Sequence, residues 1–362
     1  MQKTFIGIDL HKDSLTYCVL NENGEELEAG RIAAKTRKKI VEFVKKWPEP
    51  VFCAFEAVGF YRWLWLLLEG KVEGLYLADA TRLKAMQDPR KRIKTDFRDA
   101  RHIAKVLYRG DLPVSFVLGE PLYSLRQRLR HRHDLAKRAA RTKSSMKRIC
   151  LRANLPGPKN LTGERAVAYF DAYGDRLHEM DRERWLDLTD QLLILERQLK
   201  KVGRELHFEI ESLPQIHEDI QRLMTAPGVG LITAATVLTE TGGLDRFNKP
   251  EQLACYAGLA PRVYQSADTV HHGHISKAGP SNIRWVLQQA SWVAFRTNPY
   301  CRKIHLKMAT RTGRKKAATA LARKLLIWLW AMHKTKSNWN KETNPICTMK
   351  TACHMAKATV NG

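Results

Sequence analysis

The chain has no uninterrupted apolar run of 18 residues and no apolar core of a signal peptide near its start. Both absences argue against a membrane span or secretion and lead us to expect a soluble, cytoplasmic protein. Cysteine is sparse and unpatterned: Cys18, Cys53, Cys150, Cys255, Cys301, Cys347 and Cys353 contain no CxxC pair. An odd, scattered set supports neither a disulfide framework nor a structural zinc site, and it suits a reducing compartment. The late group Cys347, Cys353 and His354 reads as a coincidence in a polar tail. No GxxxxGK[ST] loop is present, so the ATP-type phosphate cradle is missing. Acidic residues are scarce as well. The 362 residues carry 37 Asp+Glu against 62 Lys+Arg, a net charge of +25. A membrane-surface protein can share that excess, but a polyanionic partner, above all nucleic acid, explains it better.

Where acids are few, their placement is informative. Asp9 ends the apolar run TFIGID at residues 4–9, and Glu56 ends VFCAFE at residues 51–56. Each reads as a buried strand closing on a carboxylate. Asp96 and Asp99 lie three apart in KTDFRDAR at residues 94–101, so on a helix they share a face. Two strand-end carboxylates beside a helical pair can cage hard divalent cations, a general device for breaking phosphodiester bonds. A single strand-end acid more often caps a neighbouring helix; four at matched positions in a basic chain point to a site. Arg90, Lys91, Arg92, Lys94, Arg98 and Arg101 flank the pair and suit a phosphate backbone.

The spacing predicts strands at 4–9, 14–20, 26–32, 51–56 and 73–77, and helices near 36–47, 60–70 and 96–108. That order describes an α/β layer around one mixed sheet. The segment NENG at 21–24 marks a hairpin turn. Residues 121–154 read as one long helix with eleven Lys/Arg and one acid, Asp134. A solvated basic face is the bland alternative; Arg126, Arg130, Lys137 and Arg141 are our candidates for phosphate contacts. Trp185, Leu188, Leu192, Leu195, Leu199, Val202 and Leu206 alternate spacings of three and four, an a/d seam over three heptads. It suits either an intramolecular hairpin with the basic helix or a joint between protomers. We therefore expect a domain at 1–115, a helical coiled-coil arm at 116–212, a mainly α C-terminal domain at 213–335, and a disordered tail at 336–362. Within the third, APGVG at 226–230 resembles a helix–hairpin–helix turn, and helices are expected near 249–257, 280–296 and 315–334. Trp328 and Trp330 read as core. The later basic cluster Arg311, Arg314, Lys315, Lys316, Arg323 and Lys324 is a further candidate for nucleic-acid contact.

The segments GIDLHKD (7–13), FEAVGFY (55–61) and KTDFRDA (94–100), then APGVG (226–230), AGLAPR (257–262) and ISKAG (275–279), resemble in order the motifs of the DEDD transposase family of bacterial insertion sequences. The resemblance spans about residues 3–335. It implies an RNase H-like, RuvC-type N-terminal domain in which Asp9, Glu56, Asp96 and Asp99 hold Mg²⁺. It further implies a serine nucleophile in the C-terminal domain that forms a phosphoserine link to DNA, with the acidic domain of another protomer completing the site. A noncoding guide RNA, the bridge RNA, would pair with donor and target DNA. A dimer or a tetramer built as a dimer of dimers is implied for synapsis.

The family's nucleophile follows its Gly-Leu-x-Pro-Arg segment in a Tyr-x-Ser-Gly context. Here YQSAD at 264–268 makes Ser266 the match, with Ala267 in place of the glycine, and Ser276 is the second candidate. His271, His272 and His274 could shuttle protons or touch DNA, although a polar loop is the simpler explanation. Arg262, Lys277 and Arg284 suit phosphate clamps, as does Lys315 of the later cluster. Two other readings remain at this point. One is a RuvC-like, structure-selective nuclease using water, and the other is a noncatalytic nucleic-acid binder.

Overall fold

A computed structural model describes residues 2–86, 95–266 and 269–340, with the backbone alone at 263–266 and 269–272. The chain divides into two compact units, Met1–Val117 and Leu118–Gly362.

The first unit runs β1 (Thr4–Leu10), β2 (Ser14–Leu20), β3 (Glu26–Ala33), α1 (Arg37–Lys45), β4 (Val51–Glu56), α2 (Arg62–Leu68), β5 (Gly74–Ala78), α3 (Ala80–Ala85) and α4 (Asp96–Tyr108). One sheet results, in the order β3-β2-β1-β4-β5. β1, β2 and β3 are antiparallel neighbours, while β4 and β5 run parallel to β1. This mixed α/β sheet is the arrangement expected of an RNase H-like fold. The turn expected at residues 21–24 forms, and the Asn21 side chain accepts hydrogen bonds from the backbone N–H of Asn23 and Glu25.

The two-residue period of β1 sorts its side chains. Ile6, Ile8 and Leu10 join the core shared with Ile40, Val44, Leu64 and Leu68 of α1 and α2. Phe5, Gly7 and Asp9 take the other face, where α4 lies. Ala100, Ile103, Ala104, Val106 and Leu107 of α4 are buried there. The contact is unusually close at Gly7, where a Cβ would fall 2.3 Å from the Ala104 nitrogen and 2.4 Å from the Ala100 carbonyl oxygen. Only glycine fits. Glycine on β1 and alanines on α4 thus let helix backbone approach strand backbone, with Asp9 two residues further along the same face.

The second unit opens with α5 (Leu122–Arg152), α6 (Gly163–Tyr173) and α7 (Glu179–Glu211). Arg128 pairs with Glu205 and Glu209, Lys143 with Glu196, and Arg152 with Asp181. Partner numbers fall as α5 numbers rise, so α5 and α7 are antiparallel. All seven seam residues pack inside the unit. Trp185, Leu188 and Leu192 meet Ile149, Leu161 and Tyr169, whereas Val202 and Leu206 join the core of the helices that follow. Helix α6 was absent from the sequence reading. It covers Trp185, whose indole N–H donates to the Ala166 carbonyl at 3.0 Å.

The rest comprises α8 (Pro214–Met224), α9 (Leu231–Thr241), α10 (Pro250–Tyr256), the hairpin β6 (Pro261–Ser266) and β7 (Thr269–Ile275), α11 (Ser281–Thr297), α12 (Pro299–Thr312) and α13 (Arg314–Thr335). Trp328 and Trp330 are buried, as expected. Three features here correct the sequence reading, as does α3 in the first unit, for which the sequence reading had no helix. Helix α12 stands where none was expected, started by Asn298, whose Oδ1 accepts from the Cys301 N–H, and by Pro299 at the first helical position. The stretch holding His271, His272 and His274, for which a polar loop was the simpler expectation, instead pairs with the strand of Ser266 in an antiparallel hairpin, with Ser266 opposite Thr269. The expected tail begins in packed structure: the Trp339 ring packs at a tilt against Trp328, and the Trp339 backbone N–H donates to Thr225 Oγ1 at 2.8 Å. Residues 341–362 lie outside the described residues. Among the described residues, no helix is long and apolar enough to cross a membrane.

Candidate active site

Asp9 stands at the C-terminal end of β1 and is only 7% exposed. Ile8 pairs with Phe55 in parallel register, so Asp9 and Glu56 follow side by side at neighbouring strand ends. Asp96 and Asp99 open α4, which Thr95 caps with its hydroxyl. The close packing at Gly7 brings that first turn to Asp9. The structure therefore assembles Asp9 and Asp96 directly, with Asp99 near enough to act on Asp9 electrostatically. Glu56 ends the neighbouring strand in register beside Asp9, while the ligand atoms that converge are those of Asp9, His11 and Asp96.

One residue here had been quoted within a motif and given no role. His11 Nε2 lies 2.9 Å from Asp9 Oδ2 and 3.3 Å from Asp96 Oδ1. Arg31 of β3 was missed too, and its guanidinium reaches Asp96 Oδ2 at 2.5 Å. The Arg31 contact has no local sequence signal, because β3 meets α4 only through the fold, whereas His11 lies two residues from Asp9 and reaches Asp96 only through the fold. Burial, the largest influence, raises the Asp9 carboxyl above its ordinary value. His11 opposes that shift, and Asp99 and Asp96 add to it. An acid that is buried and faces like charges is short of positive charge. Oxygen donors from separate elements converging on such an acid fit a hard divalent cation.

Of the flanking cations, Arg92 and Lys94 lie outside the described residues. Arg98 sits on α4 and is half-buried. Arg101 is turned to the fold, with its guanidinium bidentate on Glu26 at 2.7 Å.

In the second unit, two quoted motifs meet backbone to backbone. Gly279 has φ +94°, and a Cβ there would fall 1.9 Å from the Tyr256 carbonyl oxygen. The Ser276 N–H donates to the Ala260 carbonyl and the Lys277 N–H to that of Gly258. Arg284 locks the junction by donating to the carbonyls of Ala257, Gly279 and Pro280. Beside this junction is an open cleft of about 1100 Å³ lined by Arg262, Ser276, Lys277, Lys316 and Arg323, among others. Lys315 is exposed one residue before Lys316. Ser266 ends β6, and only its backbone is described.

The basic helix α5 divides by use. Arg130 forms a bidentate pair with Glu240, at 2.8 and 2.7 Å. Arg126 is half-buried, 5.5 Å from the Tyr123 ring centroid. Lys137 and Arg141 are exposed and take no carboxylate among the described residues.

Comparison with known proteins agrees in order along the chain. Residues 6–154 match the DEDD transposase profile of IS110 type, and residues 220–306 match the family described as Transposase IS116/IS110/IS902. The transposase-named protein y4qE of Sinorhizobium fredii is 25% identical over 96% of this chain and 85% of its own length. The transposase of insertion element IS1533 from Leptospira borgpetersenii is 24% identical over 80% of this chain and 85% of its own. The pilin gene-inverting protein of Moraxella bovis is 31% identical over 36% of this chain and 42% of its own.

Proposed function

The chain belongs to the DEDD transposase family of bacterial insertion sequences, and from that premise we propose that it cuts and rejoins DNA by metal-assisted, serine-linked transesterification guided by an RNA. The observation that carries the reading is the convergence of Asp9 and Asp96, from a strand end and a helix start, on one point in a strongly basic protein. Asp9, Glu56, Asp96 and Asp99 would hold the ion, which we take to be Mg²⁺. When bound, it would polarise the scissile phosphate and stabilise the leaving oxygen.

The chain's own groups do the rest. A serine Oγ attacks phosphorus, the P–O3′ bond breaks, and the departing 3′ oxygen takes a proton. The product is a 5′ phosphoserine and a free 3′ hydroxyl. Attack by the 3′ hydroxyl of another strand restores the phosphodiester and the serine, so bond energy is conserved and no nucleotide cofactor is needed. Arg262 and Lys277 would clamp phosphate oxygens beside the serine, with Lys315 at the cleft's rim. Exposed Lys137 and Arg141, with Arg126, would hold a backbone of DNA or guide RNA. We take the nucleophile to be Ser266. Ser276 is a second reading, favoured by its place in the basic cleft. The α5–α7 hairpin would serve as a coiled-coil arm in a dimer or tetramer in which one protomer's acids meet another's serine.

The test combines the full-length protein, its element-end DNA, the flanking transcript and Mg²⁺, followed by denaturation. We expect protein attached to a DNA 5′ end, lost in Ser266→Ala. Loss in Ser276→Ala alone would move the nucleophile. Metal-dependent cleavage without any adduct would replace the reading with a water-using nuclease.

A further inference from the structure

We infer that His11 supplies a nitrogen ligand to the metal centre, making it a mixed oxygen–nitrogen site that favours Mn²⁺ over Mg²⁺ more strongly than its carboxylates would alone. This rests on the metal-site reading above and goes beyond it, since the family resemblance was drawn on four acids.

The placement follows from the strand. Residues 7, 9 and 11 share one side of an extended chain, so the imidazole follows Asp9 onto the face where α4 begins. The His11 N–H donates to the Ser14 carbonyl at 2.9 Å, which fixes the chain just past the strand end. The geometry is that of a donor set. One oxygen of Asp9, one of Asp96 and the His11 nitrogen all lie within 4.8 Å of one another. Ligands about 2.0–2.2 Å from a first-row ion stand at most about 4.4 Å apart. The cluster therefore closes on an ion with movements of a few tenths of an ångström.

An ordinary hydrogen-bonded pair accounts for less. Nε2 faces two carboxylate oxygens from different residues, at 2.9 and 3.3 Å. A single N–H directed at Asp9 leaves Asp96 Oδ1 opposite the same nitrogen without that proton, the Arg31 guanidinium being on the other oxygen, Oδ2. A cation between the three atoms satisfies all of them and offsets the repulsion between the acids. His11 is 45% exposed at its side chain, so Nδ1–H can stay in water while Nε2 coordinates. Imidazole strengthens binding of transition ions, whereas Mg²⁺ prefers oxygen and keeps its water. The nitrogen should therefore tilt selectivity towards Mn²⁺.

The test uses the full chain and Mn²⁺ alone, followed by electron paramagnetic resonance, with Mg²⁺ as competitor. In the wild type we expect bound Mn²⁺ whose pulsed spectrum shows coupling to a histidine nitrogen. In His11→Ala and His11→Gln, folded by circular dichroism, the coupling should vanish. Mn²⁺ affinity should fall by about tenfold or more, with Mg²⁺ affinity changing much less. Bound Mn²⁺ with no nitrogen coupling, and equal affinity in His11→Ala, would overturn the inference while leaving the carboxylate site standing. If wild type and Asp9→Asn alike failed to bind Mn²⁺, both would fall.

Discussion

Each unit buries one prominent carboxylate, and the two are treated in opposite ways. Glu240, 2% exposed in the second unit, is fully answered by a bidentate arginine, Arg130, and by the Asn282 amide at 2.9 Å. Burial pushes its pKa up, but Arg130, Asn282 and Arg126 together bring it below the ordinary value. Asp9 in the first unit has one imidazole, two acidic neighbours and a raised pKa. A buried acid given its own cation and hydrogen bonds holds the fold together. One left facing other acids is electrostatically incomplete and calls for a ligand. The units also differ in total charge. Residues 1–117 hold 21 Lys+Arg against 16 Asp+Glu, and residues 118–362 hold 41 against 21. Four fifths of the net charge thus lies on the unit without the acidic site, the one that also holds the candidate serines and most of the cations proposed to contact a phosphate backbone.

The contrast can be broken most forcefully at Arg130. Arg130→Met leaves Glu240 buried and unpaired, and we expect a loss of about 3 kcal/mol, the lower end for such pairs because Arg130 is partly exposed. Urea unfolding reads it, and Mn²⁺ binding should persist. In the first unit, Gly7→Ala should cost about 2 kcal/mol by forcing α4 off β1. Here divalent-ion binding should weaken, because Asp96 and Asp99 move with the helix, and calorimetric titration would detect the change. A normal ion affinity in a folded Gly7→Ala would show that α4 packing does not set the site.

Charge reversal separates the two uses of α5. Lys137→Glu with Arg141→Glu should leave stability unchanged and lower the salt dependence of nucleic-acid binding by about 2 in log–log slope. Unaltered binding would make that face mere solvated surface. The smallest effect is one of pH. Because the folded pKa of Glu240 lies below its ordinary 4.5, its stabilisation is complete above that value and fades as pH falls through the folded one. The stability gap between wild type and Glu240→Gln should therefore be flat near neutrality and narrow only in acid. A gap that widened in acid would contradict the pairing.

Much of the first unit was legible because its signals are local. Apolar runs ending in Asp9 and Glu56, a turn at NENG and the Asp96 helix start placed the five strands and α1, α2 and α4 within a residue or two, while the short helix α3 was not predicted. The seam from Trp185 to Leu206 was legible for the same reason, and its packing inside the unit is explained by Arg128, Lys143 and Arg152 reaching acids on α7. What escaped depends on distant partners. Helix α6 shows few buried residues of its own and exists to cover Trp185. His11 and Arg31 gain meaning only when β1, β3 and the start of α4 are together. The hairpin at 261–275 has good strand formers in Val263, Tyr264, Thr269 and Val270, but the polar stretch between them and the histidines that follow mask that signal. Helix α12 could have been found from Asn298-Pro299, an N-cap followed by a proline at the first helical position.

The central claim is that Asp9 is a carboxylate awaiting a cation, whereas Glu240 already has one. Thermal melting of wild type, Asp9→Asn and Glu240→Gln, each with and without Mn²⁺, tests it most directly. We expect Glu240→Gln to melt lower and still gain from the ion. Asp9→Asn should melt at or above wild type in metal-free buffer and gain nothing from the ion. An Asp9→Asn protein that melted lower without metal, or gained from Mn²⁺ as the wild type does, would contradict the account.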